Sequence, residues 1–100
     1  VDVLMLGVDT NVVHIQTKNV LPDLDNTYLL GSTSRMWSQT YSRQIHPTAS
    51  SSVFITAGTG SPEGVLTASV GSLFLRTNGG ANTTLYIKES GAGNTGWVAK

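Results

Sequence analysis

Gly71-Ser-Leu-Phe-Leu-Arg-Thr-Asn-Gly-Gly-Ala-Asn-Thr-Thr-Leu-Tyr-Ile-Lys-Glu-Ser-Gly-Ala-Gly-Asn-Thr-Gly-Trp-Val-Ala-Lys100 decides the fold. Residues 72–77 and 83–88 read as two strands around the turn Asn78-Gly79-Gly80-Ala81-Asn82. Side chains alternate between the faces of a strand. Centring the turn on Gly80 pairs Leu73 with Ile87 and Leu75 with Leu85, so four aliphatic side chains share one face. Phe74 then meets Tyr86 on the other face, beside Arg76 and Lys88. A slip of one residue would mix apolar and charged groups on both faces, so the pattern selects this register. A glycine-rich turn over 91–96 and a short closing strand at Trp97 complete the stretch. Both hairpin faces are apolar and need cover, either from Trp97 and the preceding strands or from neighbouring chains.

Working upstream, Val65 to Val70 reads as extended and Val53 to Thr56 as a brief strand. Between them, Ser61-Pro62-Glu63-Gly64 fits a β-turn with Pro second and Gly fourth. His46-Pro47 and the serines that follow read as a linker. Ser38 to Ile45 reads as a strand with Tyr41 packed and Arg43 outward. At most one helical turn is allowed for, near residues 33–37, where Ser32, Thr33 or Ser34 could cap it. Leu21 to Leu30 reads as an irregular connection, its turn held by Asp23, Asp25 and Asn26. Near the start, Val13 and Ile15 alternate onto one face of a strand. The expected fold is all-β, made of short antiparallel strands and hairpins with at most that one helical turn. Three stretches are expected: a β-rich module over 1–45, a Ser/Thr/Gly-rich connection over 46–70 and a hairpin module over 71–100.

Composition narrows the function. One hundred residues allow one small domain, and a chain of this size has a thin stability margin. It contains no cysteine, which excludes disulfides and thiolate metal sites. Oligomerisation is the remaining reinforcement. Six basic residues balance six acidic ones, and only 12% of residues are charged. No basic field is present to attract nucleic acid or anionic lipid. Ser, Thr, Asn and Gly make up roughly two fifths of the chain, a turn-rich bias. No apolar run approaches the ~20 residues that cross a bilayer. The chain opens on Val1 within an apolar run, which reads as a fragment or processed piece of a longer protein.

Catalytic and cofactor motifs fail on mechanism. Gly91-Ala-Gly-Asn-Thr-Gly96 spells GxGxxG, but the dinucleotide site requires a following helix and only four residues remain. Asp23-x-Asp25-Asn26 lacks the glycine and distal glutamate of a calcium loop and reads as an Asx-type turn. His14 and His46 have no ligand spacing. His14 could reach a threefold axis in a parallel trimer, but an ordinary strand histidine is the simpler reading. No Gly-x-Ser-x-Gly elbow is present, and no carboxylate pair stands out for glycoside hydrolysis. No enzyme activity, cofactor or metal is expected. Asn82-Thr-Thr84 spells a glycosylation sequon, irrelevant to a protein made in bacteria.

The Gly71–Lys100 stretch resembles the C-terminal end of tailed-bacteriophage tail fibres, tail spikes and neck appendages. Pro22-Asp-Leu-Asp-Asn-Thr-Tyr-Leu-Leu-Gly-Ser32, with Trp37 beyond, is similar to a short module of such fibres. Together the two cover about half the chain. Leu29 departs from the Asp often found there, and Met36 separates Arg35 from Trp37. The resemblance implies a homotrimer, a place in the virion exposed to the extracellular medium, and contact with other tail proteins. It also implies a host polysaccharide or protein receptor. The functional expectation is a structural, host-facing segment serving trimerisation and attachment. Alternatives are a carbohydrate-binding module and the non-catalytic end of a tail-spike depolymerase. Candidate receptor contacts are Tyr86, Trp97, Asn82 and Asn94. Candidate core or trimer-packing residues are Leu73, Phe74, Leu75, Leu85, Ile87, Trp37, Val13 and Ile15.

Overall fold

The computed structural model describes residues 19–100. The chain divides into two compact units, Val1–Ser38 and Gln39–Lys100. The second carries one mixed sheet of five strands in sequence order: β1 (Gln44–Ile45), β2 (Ile55–Gly58), β3 (Leu73–Arg76), β4 (Leu85–Lys88) and β5 (Trp97–Ala99). The chain is thus all-β over the described residues, with no helix. The sheet draws strands from all three of the expected stretches. Val13 and Ile15 lie outside the described residues.

The hairpin has the register that alternation demands: Leu73 faces Ile87, Phe74 faces Tyr86 and Leu75 faces Leu85. β5 closes against β4 with Lys88 opposite Trp97 and Ile87 opposite Val98. β1 pairs antiparallel with β2, Ile45 opposite Ile55.

The expectation of antiparallel pairing fails at one place. β2 and β3 are parallel, with Ile55 beside Leu73 and Ala57 beside Leu75. A parallel pair needs a crossover of about a dozen residues or more, and residues 59–72 supply it. Residues 65–70 are therefore not a strand. Their backbone donors go to loops instead: Ala68 N–H to the Gly93 carbonyl at 3.2 Å and Ser69 N–H to the Ser52 carbonyl at 2.8 Å.

Three smaller expectations are also corrected. The β-turn is shifted by one residue, to Pro62–Val65, with Val65 N–H donating to the Pro62 carbonyl at 3.0 Å. Gly64, at φ 76°, then occupies the third position, where a type II turn requires a positive φ. No helical turn forms at 33–37. Ser32 and Arg35 instead exchange backbone hydrogen bonds at 2.9 and 3.3 Å, and the Ser32 hydroxyl accepts from Arg35 N–H at 3.0 Å. Ser32 caps, but it caps a tight reciprocal turn. The strand expected from Ser38 shrinks to Gln44–Ile45, and Tyr41 is exposed rather than packed.

The core lies on the aromatic face of the sheet. Phe54, Phe74, Tyr86 and Trp97 are buried together with Ala68, and Leu66 packs against them. Phe74 meets Tyr86 edge-on at 6.4 Å and Trp97 edge-on at 6.2 Å. Edge-to-face geometry sets the positive ring edge against a negative face, worth about 0.5–1.5 kcal/mol per pair beyond burial. The crossover lies over this face, and the Trp97 indole N–H donates to the Leu66 carbonyl at 2.8 Å. Trp97→Ala is expected to cost about 3–5 kcal/mol, the range for removing a buried aromatic. Trp97→Phe, which retains a ring but loses the indole hydrogen bond, is expected to cost about 1–2 kcal/mol. Urea unfolding followed by far-ultraviolet circular dichroism measures both.

Candidate functional site

Four side chains were expected to face a receptor, and the structure divides them. Tyr86 and Trp97 are 6% and 5% exposed, so their ring faces are closed to a ligand. Sequence reading missed this because alternation gives the face of a strand residue but not which face the chain later covers. Asn82 is exposed in the hairpin loop at φ 64°, a left-handed conformation that asparagine tolerates better than most residues. Asn94 is exposed too, but its side-chain amide donates to the Gly64 carbonyl at 3.1 Å. Its amide holds a loop.

The packing candidates divide as well. Phe74 is buried in the aromatic core. Leu73, Leu85 and Ile87 are half-buried and Leu75 is 47% exposed, all on the opposite sheet face. Trp37, expected in a core, is 66% exposed.

The loop after β4 is held from two sides by charged side chains. Lys88 is fully buried, and its ammonium donates to the carbonyls of Ser90 at 2.7 Å and Gly91 at 2.9 Å. From the crossover, the Glu63 carboxylate accepts from Gly96 N–H at 3.2 Å and from Trp97 N–H at 2.7 Å. Gly64 N–H donates to the Asn94 carbonyl at 2.7 Å. A cation anchors one side of the loop and an anion the other, each bonding backbone groups that the turn leaves unpaired. Gly96 has φ 97°, and a Cβ there would collide with the Ser90 carbonyl, so only glycine completes the turn. The glycine-rich stretch is built for this ring of bonds, not for a phosphate.

At the opposite end of β3 and β4 lies the hairpin tip. The Asn78 side-chain oxygen accepts from Gly60 N–H at 2.8 Å and from Arg76 Nε at 3.0 Å. Arg76 also donates to the Tyr86 hydroxyl at 3.2 Å. The Thr83 hydroxyl accepts from Gly80 N–H at 2.8 Å. The tip is polar and closely hydrogen-bonded, and its exposed residues include Asn78, Gly80, Ala81 and Asn82.

A further apolar surface belongs to neither loop. In the first unit, eight large apolar side chains are exposed between 20 and 37: Val20, Leu21, Leu24, Tyr28, Leu29, Leu30, Met36 and Trp37. Val20, Leu21, Pro22, Tyr28, Leu29 and Leu30 line one groove. The turn that opens this segment has Asn26 at φ 50°, and the Thr27 hydroxyl donates to the Asp25 carbonyl at 2.8 Å. Among the described residues, no group of three or more His, Cys, Asp or Glu side chains is placed to hold a metal.

Comparison with protein-family models, curated proteins and solved structures found no match in any of the three. The fibre resemblance rests on the two quoted sequence stretches alone.

Removing either loop anchor should loosen the same ring of bonds. Glu63→Gln keeps one acceptor but loses the charge, and Glu63→Ala loses both; about 1 and about 2–3 kcal/mol are expected. Lys88→Met keeps the buried stem but strips two carbonyls of their donor. It is expected to speed amide hydrogen exchange across 89–96 while the β3–β4 hairpin amides stay protected. Exchange read by mass spectrometry on peptides from the two regions decides it.

Proposed function

We propose that this chain is a structural, host-facing segment of a phage tail fibre or spike, acting in trimerisation and attachment rather than in catalysis. The observation that carries the reading is the run of eight exposed large apolar side chains between Val20 and Trp37, of which Val20, Leu21, Tyr28, Leu29 and Leu30 line one groove. Exposed apolar side chains grouped in this way mark an interaction site. The run overlaps the stretch Pro22–Ser32 that resembles a fibre module, so the resemblance and the exposed surface point to one role. A neutral chain with few charges offers no electrostatic bar to its own copies. In this reading the partners are two further copies of the chain, other tail proteins of the virion, and a host surface polysaccharide or protein.

Light scattering of the purified chain tests the reading. The expected mass is three times the 10.5 kDa of one chain. A well-folded monomer at micromolar concentration would overturn it.

A second reading, a carbohydrate-binding module, draws on Tyr28 and Trp37 of the first unit, which are exposed. Aromatic faces of this kind stack on sugar rings. Titration with host surface polysaccharide separates the two readings. If these rings bind glycan, Tyr28→Ala and Trp37→Ala weaken binding at least tenfold with the mass in solution unchanged. If they are buried between copies, the same substitutions lower the mass.

A further inference from the structure

The hairpin tip holds a reactive pair of residues where two requirements of the fold meet. Asn78 is followed by Gly79, and it alone among the six asparagines has glycine next to it. Asn11 and Asn19 precede valine, and Asn26, Asn82 and Asn94 precede threonine. A β-branched neighbour crowds its own amide nitrogen, whereas glycine has no Cβ to do so. A Cβ at position 79 would collide with the Thr83 carbonyl, so glycine alone fits there. Position 78 needs an acceptor, because its side-chain oxygen takes Gly60 N–H at 2.8 Å and the Arg76 Nε hydrogen at 3.0 Å. Asn78 is exposed, so water reaches the pair. We propose that Asn78 is a self-modifying site, which loses its side-chain amide to attack by the Gly79 nitrogen and becomes an aspartate held by Arg76. The chemistry belongs to the tip alone and does not depend on the fibre reading.

The donors sit where the reaction needs them. As the Gly79 nitrogen bonds to Asn78 Cγ, the side-chain carbonyl oxygen takes on negative charge. Gly60 N–H and the Arg76 guanidinium already donate to that oxygen, as the donors of an oxyanion hole do. The Cγ–Nδ2 bond then breaks, and Nδ2 leaves as ammonia with the proton from the Gly79 nitrogen. A cyclic imide now joins the two residues, and water opens it at either carbonyl. Attack at Cγ breaks the Cγ–N bond, returns a proton to the Gly79 nitrogen and leaves aspartate. Attack at the α-carbonyl breaks the other C–N bond and leaves isoaspartate, whose main chain is longer by one carbon. The same two donors polarise Cγ, so the folded chain favours aspartate. The new carboxyl gives its proton to the ammonia, and the net change is amide plus water to carboxylate plus ammonium. The carboxylate keeps both acceptor roles and sets a charge beside Arg76, so the tip retains its bonds. The formal charge of the chain falls from zero by one unit.

The test incubates the full chain in mildly alkaline buffer. Peptide mass spectrometry follows each asparagine, with fragmentation that separates aspartate from isoaspartate. Conversion at Asn78 is expected to outrun that at every other asparagine by about tenfold or more. Comparable rates at Asn78 and at Asn82, which lies in the same loop but precedes Thr83, would overturn the proposal.

The ratio of products isolates the part played by the fold. Aspartate is expected to exceed isoaspartate in the folded chain. In the same chain unfolded in urea the order is expected to reverse, because the α-amide nitrogen then makes the α-carbonyl the more electrophilic of the two. Arg76→Met removes the guanidinium and is expected to slow conversion by about threefold or more and to raise the share of isoaspartate. A tip loosened by the substitution, with no donor effect, would convert faster instead. The same product ratio in folded and unfolded chain would overturn the proposal, as would an Arg76→Met chain, folded by circular dichroism, that converts as fast as the wild type. The urea comparison needs no variant, so it decides the matter if Arg76→Met does not fold.

Discussion

The structure of the 39–100 unit depends on one constraint: the chain between two parallel strands must return along the sheet, and in doing so it buries the aromatic face. Residues 59–72 make this return, and Glu63 fixes it by accepting from two consecutive amides at the start of β5. The carboxylate joins segments more than thirty residues apart. Charged acceptors form hydrogen bonds roughly twice as strong as neutral ones. With the crossover held, Leu66 and Ala68 reach the rings and the Trp97 indole finds its carbonyl. Without it, β5 would lose the bonds at its start, and Phe74, Tyr86 and Trp97 would keep only each other.

The same constraint gives the sheet two unlike faces. One crossover covers one side. The covered side holds large aromatics whose polar atoms are all satisfied: the Tyr86 hydroxyl by Arg76, the indole by Leu66, and the Lys88 ammonium by Ser90 and Gly91. The other side holds branched aliphatics, which have no polar atoms to satisfy. Aromatics with a polar end suit a face closed by irregular backbone, because loop carbonyls are available as partners. The division of residue types between the faces therefore follows which face the crossover covers.

How much of this was legible in the sequence depends on how local the cause was. The β3–β4 hairpin was legible residue by residue, since Leu73, Leu75, Leu85 and Ile87 on one side and Phe74 and Tyr86 on the other permit a single register. The closing strand at Trp97 followed from its place after a glycine turn. The parallel pairing of Ile55 with Leu73 was not legible, because it depends on where a fourteen-residue connection travels. The turn at Pro62 was read one residue early. Proline's preference for the second position favours the earlier setting, but the positive φ of Gly64 places glycine third and wins. Trp37 and Tyr41 were taken for core on size alone, and burial is a property of neighbours that the local sequence does not name. At the candidate site, the exposure of Asn82 and Asn94 agreed with their setting in turns. Tyr86 and Trp97 were misread for the reason that hid the crossover.

An apolar face and an apolar segment on a chain of zero net charge would ordinarily be an aggregation hazard, since nothing repels one copy from the next. The edges of the sheet limit that hazard. Among the described residues the edge strands are β1, with two residues, and β5, with three, so each offers only a few backbone groups to an incoming strand. Pairing copy to copy along the hydrogen-bonding direction, the route to open-ended β-assembly, is therefore poorly supported. The aliphatic face is not limited in this way, because burial there needs shape and no backbone pairing. The hazard therefore lies on the face of the sheet and not on its edges.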